Sequence, residues 1–234
     1  IEGAEKMVPL AFSIIIGTVV FQSLTARPVA RLLNVALPKT HGVLIVGANP
    51  FSIALAKAFA KAEVETIICD SNWDSLRAAR IDGIKTYYGN PISDHGLMHL
   101  NTSTYGYMLG LSNHFEYNVT QASGFREEFG GRNVFMLPPN QSTERFKRHI
   151  ASAQNSGRIL FDEGMAYNKL KARINAGEEI RVTDLSDAYR YSDWRKDNEN
   201  ALLLFAIKPN GDIAFNTTEG TPTVESCLLY TSDA

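Results

Sequence analysis

Residues 43–59, VLIVGANPFSIALAKAF, constrain this chain more than any other stretch: an unbroken apolar run reaches Gly47, and a helical pattern begins three residues later. A short continuous apolar run is what a strand buried on both faces of a parallel sheet requires. The alanine-rich spacing of SIALAKAFAKA (52–62) is helical. A strand that turns through one glycine into a helix opens a βαβ unit, and the rhythm then repeats. ETIICD (65–70), IKTYYGN (84–90), YGYMLGLS (105–112) and RNVFMLPP (132–139) read as four further strands. SNWDSLRAARIDG (71–83) is a capped helix closed by Gly83. Before the helix in residues 113–130, Asn113 and Glu116 have capping-box spacing. Five strands joined by right-handed crossovers give an α/β fold, a doubly wound parallel Rossmann-like sheet.

The first turn carries the candidate chemistry. In a nucleotide-binding βαβ unit, three glycines allow a tight turn, close approach of the phosphates and close helix–strand packing. Here only Gly47 is present, and Asn49 and Ser52 stand where the second and third glycines belong. Asn49 tolerates a left-handed backbone, and Ser52 is small enough to donate to a phosphate. Pro50 lacks an N–H, so one donor of the helix N-terminus is gone. Asp70 ends the second strand, 23 residues after Gly47, where a carboxylate accepts from a ribose hydroxyl.

Residues 7–24, MVPLAFSIIIGTVVFQSL, are 18 residues without a charge. As a helix they span roughly 27 Å, close to the hydrocarbon thickness of a bilayer. Arg27, Arg31 and Lys39 follow, which places what comes after on the cytoplasmic side. In the connector, residues 25–42, Pro28 is expected to start a short amphipathic helix and Pro38 to stop it. Leu32, Leu33, Val35 and Leu37 would then lie on or near the membrane face.

Beyond residue 156 the pattern changes to short strands, GRILF, EIRVTDLS and ALLLFAIKPNGDIAFNT, the last a hairpin about the Lys208–Gly211 turn. YNKLKARINAG is a helix closed by Gly177. CLLYTSDA (227–234) resembles translated sequencing adapter and is set aside from the fold argument. The domains expected are therefore 1–40, a membrane helix and connector; 41–150, the Rossmann-like domain; 151–226, a small, truncated α+β segment; and 227–234, adapter.

Other motifs are weaker. A net charge of −2 with no basic run argues against nucleic acid. With two cysteines there is no disulfide framework, and Cys69 reads as a small buried hydrophobe. His95 and His99 are four apart, but Gly96 lies between them and no third ligand follows, so they read as loop histidines rather than a metal pair. Tyr167 and Lys171 form the Y-x-x-x-K of some dehydrogenases, but lie far past the sheet in sequence, where an ordinary surface helix accounts for them. The basic cluster at 144–149 reads as a solvated face. No nucleophile and base stand at useful spacing, so no catalytic residue is assigned.

Two stretches carry a family likeness. KMVPLAFSIIIGTVVFQSLTARPVARLLNV resembles the final transmembrane helix and basic exit of NhaP-type cation/proton antiporters. The run from VLIVGANPFSIALAKAF through ICD and YYGNPIS, continuing through residues 105–137 and 157–186, is similar to the TrkA-N, or RCK N-terminal, domain fused to many of them. The resemblance implies Gly47, Asn49, Ser52 and Asp70 as nucleotide contacts, with Asn90 after the third strand at the same crevice. It implies a regulatory nucleotide, NAD(H) or an adenine nucleotide, and neither an enzyme nor a metal site. The implied partners are the membrane, an upstream transport domain holding the ion-binding aspartates, a second copy in a homodimer, and monovalent cations and protons. The implied place is a prokaryotic cell membrane, with the soluble domain in the cytoplasm. A TrkA-type potassium-uptake or channel-gating module is the alternative, and a soluble NAD-dependent dehydrogenase a third reading.

Overall fold

The computed structural model describes residues 4–32, 41–140, 155–162, 164–186, 188–199, 201–222 and 227–232. It divides into two units at residues 40 and 41. The first is one helix, α1 (Ala4–Leu32). Its segment Met7–Ala26 is long and apolar enough to cross a membrane, with mean hydropathy 2.0 and no part buried. The break expected at Pro28 is absent, because the helix runs through both Pro9 and Pro28. A proline removes one N–H from a helix without necessarily ending it, and Pro28 sits only a turn from the end. Hydroxyls serve the helix's own backbone: Ser13 donates to the Pro9 carbonyl at 2.8 Å and Thr25 to that of Phe21 at 2.7 Å. Pro38, Lys39, Leu33, Val35 and Leu37 lie outside the described residues, as does the 144–149 cluster.

The second unit is built on a six-stranded sheet, entirely parallel, comprising β1 (Gly42–Val46), β2 (Thr66–Asp70), β3 (Lys85–Tyr88), β4 (Tyr105–Gly110), β5 (Val134–Met136) and β6 (Arg158–Ile159). Its order is β3-β2-β1-β4-β5-β6. The chain winds outward from β1 to β3, then returns to the other side of β1 and winds outward again, the doubly wound topology. GRILF, read as a strand outside the sheet, adds β6 to it. Helices α2 (Pro50–Lys61), α3 (Trp73–Ile81) and α5 (Phe115–Phe129) connect neighbouring strands, and α4 (Asp94–His99) lies on the return path.

Alternation along β1 divides the core. Val43 and Ile45 face α2 and α3, while Leu44 and Val46 face α5, and all four are fully buried. The α2 side is closed by a second sheet of order β7-β10-β8-β9, made of β7 (Ile180–Asp184), β8 (Leu202–Ile207), β9 (Ile213–Phe215) and β10 (Leu228–Ser232). Phe59 on α2 lies 4.5 Å from the Phe205 ring of β8, and Phe135 of β5 lies 4.7 Å from Phe215 of β9. The Ile213 N–H donates to the buried Tyr107 hydroxyl at 3.1 Å. The two sheets thus share one core. Helices α6 (Tyr167–Asn175) and α7 (Tyr191–Asp197) complete the C-terminal part.

The Lys208–Gly211 turn forms as expected, the Gly211 N–H donating to the Lys208 carbonyl at 2.8 Å. The adapter-like residues 228–232 form β10, antiparallel to both β7 and β8, with Tyr230 stacked on Phe205 at 4.3 Å. Leu-Leu-Tyr-Thr-Ser is rich in strand-forming residues, so adapter-like sequence and strand formation are compatible.

Candidate functional site

In a doubly wound sheet the crevice opens where strand order reverses, outside the C-terminal ends of the strands. Here that point lies between β1 and β4. The turn after β1 holds Gly47 at φ +107°, a left-handed backbone that favours glycine. A Cβ there would sit 2.6 Å from the Ser112 nitrogen in the turn after β4. Gly47 is therefore required twice, for its torsion and for the contact of the two turns that floor the crevice. The Ser112 turn is held by Asn118, which accepts from the Ser112 N–H at 3.0 Å and donates to its carbonyl at 2.9 Å.

The side chains that replace the other two glycines point inward. Asn49 has φ −160°, extended rather than left-handed, and is the N-cap of α2. Its Oδ1 accepts from the Ser52 N–H at 3.0 Å, and its Nδ2 donates to the carbonyls of Leu111 at 3.0 Å and Gly47 at 3.3 Å. Ser52 is fully buried, its hydroxyl donating to the Gly47 carbonyl at 2.6 Å. Both side chains build the turn, and Asn49 also lines the cavity beside it.

Asp70 joins two turns. Its Oδ2 accepts from the Ala48 N–H and its Oδ1 from the Asn72 N–H, each at 2.7 Å. Each oxygen keeps a second lone pair for a hydroxyl donor. The cavity here measures about 500 Å³, within the range of small-molecule sites. Residues 47–49 and 70–72, Ser75, residues 112–114, Tyr117 and Tyr167 line it. Gly47, Asn49 and Asp70 thus come together, Ser52 lies beneath them, and Asn90 is outside the lining. Asn90 holds the start of α4 instead: its carbonyl accepts from the Ser93 hydroxyl at 2.6 Å, and its Oδ1 from Gln121 Nε2 at 2.9 Å.

Residues 43–152 match the model of the TrkA-N domain family. Over these residues the chain is similar to a TrkA-N domain. Among solved structures, the TrkA-N domain of inner membrane protein ybaL from Escherichia coli aligns at 9% identity and TM-score 0.45, over 59% of this chain and 96% of that one. The GsuK RCK domain aligns at 14% and 0.43, over 84% of this chain and 44% of that one. The GsuK channel bound to NAD aligns at 16% and 0.41, over 94% and 43%. The chain spans less than half the length of these two GsuK chains. No curated protein matches it.

Several lining residues of the crevice escape sequence reading. Residues 112–114 follow β4 directly, and the rule of the reversed strand order could have found them. Tyr117, in the first turn of α5, has a buried hydroxyl without a hydrogen-bond partner among the described residues. Burial, then the charge of Asp70, pushes its phenol up from 10.0 to about 12, so it is a donor throughout the neutral range. Burial, with Asp70 adjacent, also pushes up the Cys69 thiol, which is fully buried. Tyr167 comes from α6, and no local signal marks it.

Other candidates resolve differently. His95 and His99 stand on α4, not in a loop, with rings stacked at 4.1 Å. Gly96 does not break the helix because its place demands glycine: a Cβ would lie 2.3 Å from the Pro91 carbonyl oxygen. Among the described residues, no group of three or more His, Cys, Asp or Glu could hold a metal ion. The capping box at Asn113 is not formed, since His114 is the N-cap of α5 and makes no side-chain cap bond. A second concavity of about 580 Å³, at the N-terminal ends of β5 and β6, is lined by Arg126, Gly131, Arg132, Arg158 and Glu219. It lies away from the reversal of strand order.

Proposed function

We propose that this chain is the terminal membrane helix and cytoplasmic regulatory domain of an NhaP-type monovalent cation/proton antiporter, exchanging sodium or potassium for protons, and that the crevice binds a nucleotide. The observation that carries the reading is the crevice itself: in a TrkA-N domain, the Gly47 turn, the Ser112 turn and the Asp70 carboxylate meet at the reversal of strand order. Asp70 accepts a ribose hydroxyl, and the phosphates lie toward the backbone of the Gly47 turn. The exposed apolar surface of Met7–Ala26 needs lipid or other helices to cover it. A ligand that binds one domain or dimer arrangement better than another shifts the population of that arrangement, and the connector after α1 passes the bias to a transport bundle. The chemistry asked of the domain is binding, not catalysis.

Calorimetric titration of the 234-residue chain in detergent with AMP, ATP, NAD and NADH tests the site. Binding of at least one, weakened by Asp70→Ala, is expected; no heat with any of them refutes nucleotide sensing. Membrane fractionation tests the helix, and a fully soluble intact chain overturns it. Antiport needs the full-length gene product in vesicles. Cation-driven proton movement supports the antiporter, whereas potassium flux without proton movement turns the reading to a channel module.

A further inference from the structure

Tyr167 entered the sequence argument as half of a Y-x-x-x-K motif remote from the sheet. The structure separates the pair: Tyr167 lines the same cavity as Gly47 and Asp70, and Lys171, one turn later and exposed, does not. The Tyr167 ring is partly buried against the core shared by the two sheets. Its hydroxyl has no hydrogen-bond partner among the described residues, so this wall of the cavity presents an unused phenol.

The start of α6 is tied to the crevice through a second residue. Asn140 donates from Nδ2 to Asn113 Oδ1 at 3.0 Å and accepts on Oδ1 from the Asn168 N–H at 2.9 Å. Asn113 lines the cavity, and Asn168 follows Tyr167. One turn on, Leu170 is 1% exposed in the core. After Gly177 the chain enters β7 of the antiparallel sheet. A ligand touching both Asp70 and Tyr167 would therefore touch the parallel sheet and the helix leading into the second sheet.

We propose that Tyr167 is a ligand contact that makes the crevice a clamp between the TrkA-N sheet and the C-terminal segment. The inference rests on the reading that the crevice binds a nucleotide. The ring gives the base or ribose a flat apolar wall, the hydroxyl donates to the ligand, and occupancy fastens α6 to the turns at residues 47 and 112. Asn140 is a positioning residue that holds the first turn of α6 beside Asn113.

The 234-residue chain in detergent is titrated with NADH, NAD, ATP and AMP as wild type, Tyr167→Phe, Tyr167→Ala and Lys171→Ala. For whichever nucleotide binds, loss of one hydrogen bond in Tyr167→Phe weakens affinity about threefold to tenfold. Loss of the ring as well, in Tyr167→Ala, weakens it about tenfold to hundredfold. Lys171→Ala binds as wild type. Hydrogen exchange at residues 167–175 slows when the nucleotide is added to wild type, and not in Tyr167→Ala. Wild-type binding with unchanged affinity in both Tyr167 variants overturns the inference and leaves nucleotide sensing intact. Unchanged exchange in α6 on binding overturns the clamp. Absence of wild-type binding to any of the four overturns both readings. Tyr167→Phe keeps the ring and its packing, so it answers even where Tyr167→Ala fails to fold.

Discussion

Asn49→Ala removes three hydrogen bonds from a side chain that is 7% exposed. The lost cap on the Ser52 N–H costs about 1 kcal/mol. The Gly47 carbonyl keeps its bond from the Ser52 hydroxyl at 2.6 Å and loses little. The Leu111 carbonyl is different, because Asn49 Nδ2 is its hydrogen-bond donor and it is left unpaired beside a buried turn. An unsatisfied buried acceptor costs about 1–3 kcal/mol. For a folded unit of this size, the combined loss lowers Tm by about 5–15 °C. Asn49→Ser retains a capping oxygen but not the Leu111 bond, so it falls between alanine and wild type. Thermal melts and urea unfolding in detergent, followed by fluorescence of the buried Trp194, read the effect in the absence of nucleotide. The reasoning is refuted if Asn49→Ala melts within about 2 °C of wild type yet loses nucleotide affinity. Asn49 would then be a ligand contact after all, and not the pin of the turn.

Gly47→Ala and Gly96→Ala each force a Cβ onto backbone, 2.6 Å from the Ser112 nitrogen and 2.3 Å from the Pro91 oxygen; each should cost more than about 2 kcal/mol by denaturant unfolding, and a neutral result for either would contradict the packing. Tyr230→Ala empties a site 2% exposed and stacked on Phe205, a loss of about 3–5 kcal/mol; an unchanged urea midpoint would show that β10 is not part of the folded core. Tyr117 and Tyr105 have phenols raised from 10.0 to about 12, the first by burial then Asp70, the second by burial then Glu65 and Cys69. Their contribution to stability is fully present below pH 10 and is lost as pH rises toward 12, so Tm should fall across that window, and fall less in a Tyr117→Phe variant.

The sheet was legible because its signals are local and agree with one another. Each buried strand is an unbroken apolar run, Asn72 caps α3 and Gly83 follows its end at φ +73°, and Gly47 takes the positive φ expected of it. What was not legible depends on partners distant in sequence. The structural work of Asn49 is hidden in the sequence, because the acceptor of its amide, Leu111, lies 62 positions later. Asn113 has the spacing of a capping box, but the two-point clamp of Asn118 on Ser112 fixes that turn and starts the helix one residue later. Gly96 reads as a helix breaker until the Pro91 carbonyl is seen against it. Tyr167 reaches the crevice only because α6 packs back along the core, which no spacing within residues 157–177 reveals.

The inward turn of Asn49 and Ser52 changes how an anion must be held. A helix N-terminus binds phosphate through its free N–H groups. In α2, Pro50 has none, Asn49 Oδ1 takes that of Ser52, and the Asn49 carbonyl takes that of Ile53. The Ala48 N–H is committed to Asp70. Among the donors of this turn, the backbone N–H groups of Asn49 and Phe51 remain. The glycine-rich version of the turn offers the phosphates more donors, so this one should grip them less. In the proposed complex, recognition moves to the rim, where Asp70 meets a ribose and the Tyr167 phenol has no hydrogen-bond partner among the described residues. Affinity built that way responds weakly to salt, because the contacts are hydrogen bonds and ring faces rather than ion pairs. It also suits exchange of one nucleotide for another, since the discriminating groups lie on elements outside the rigid turn.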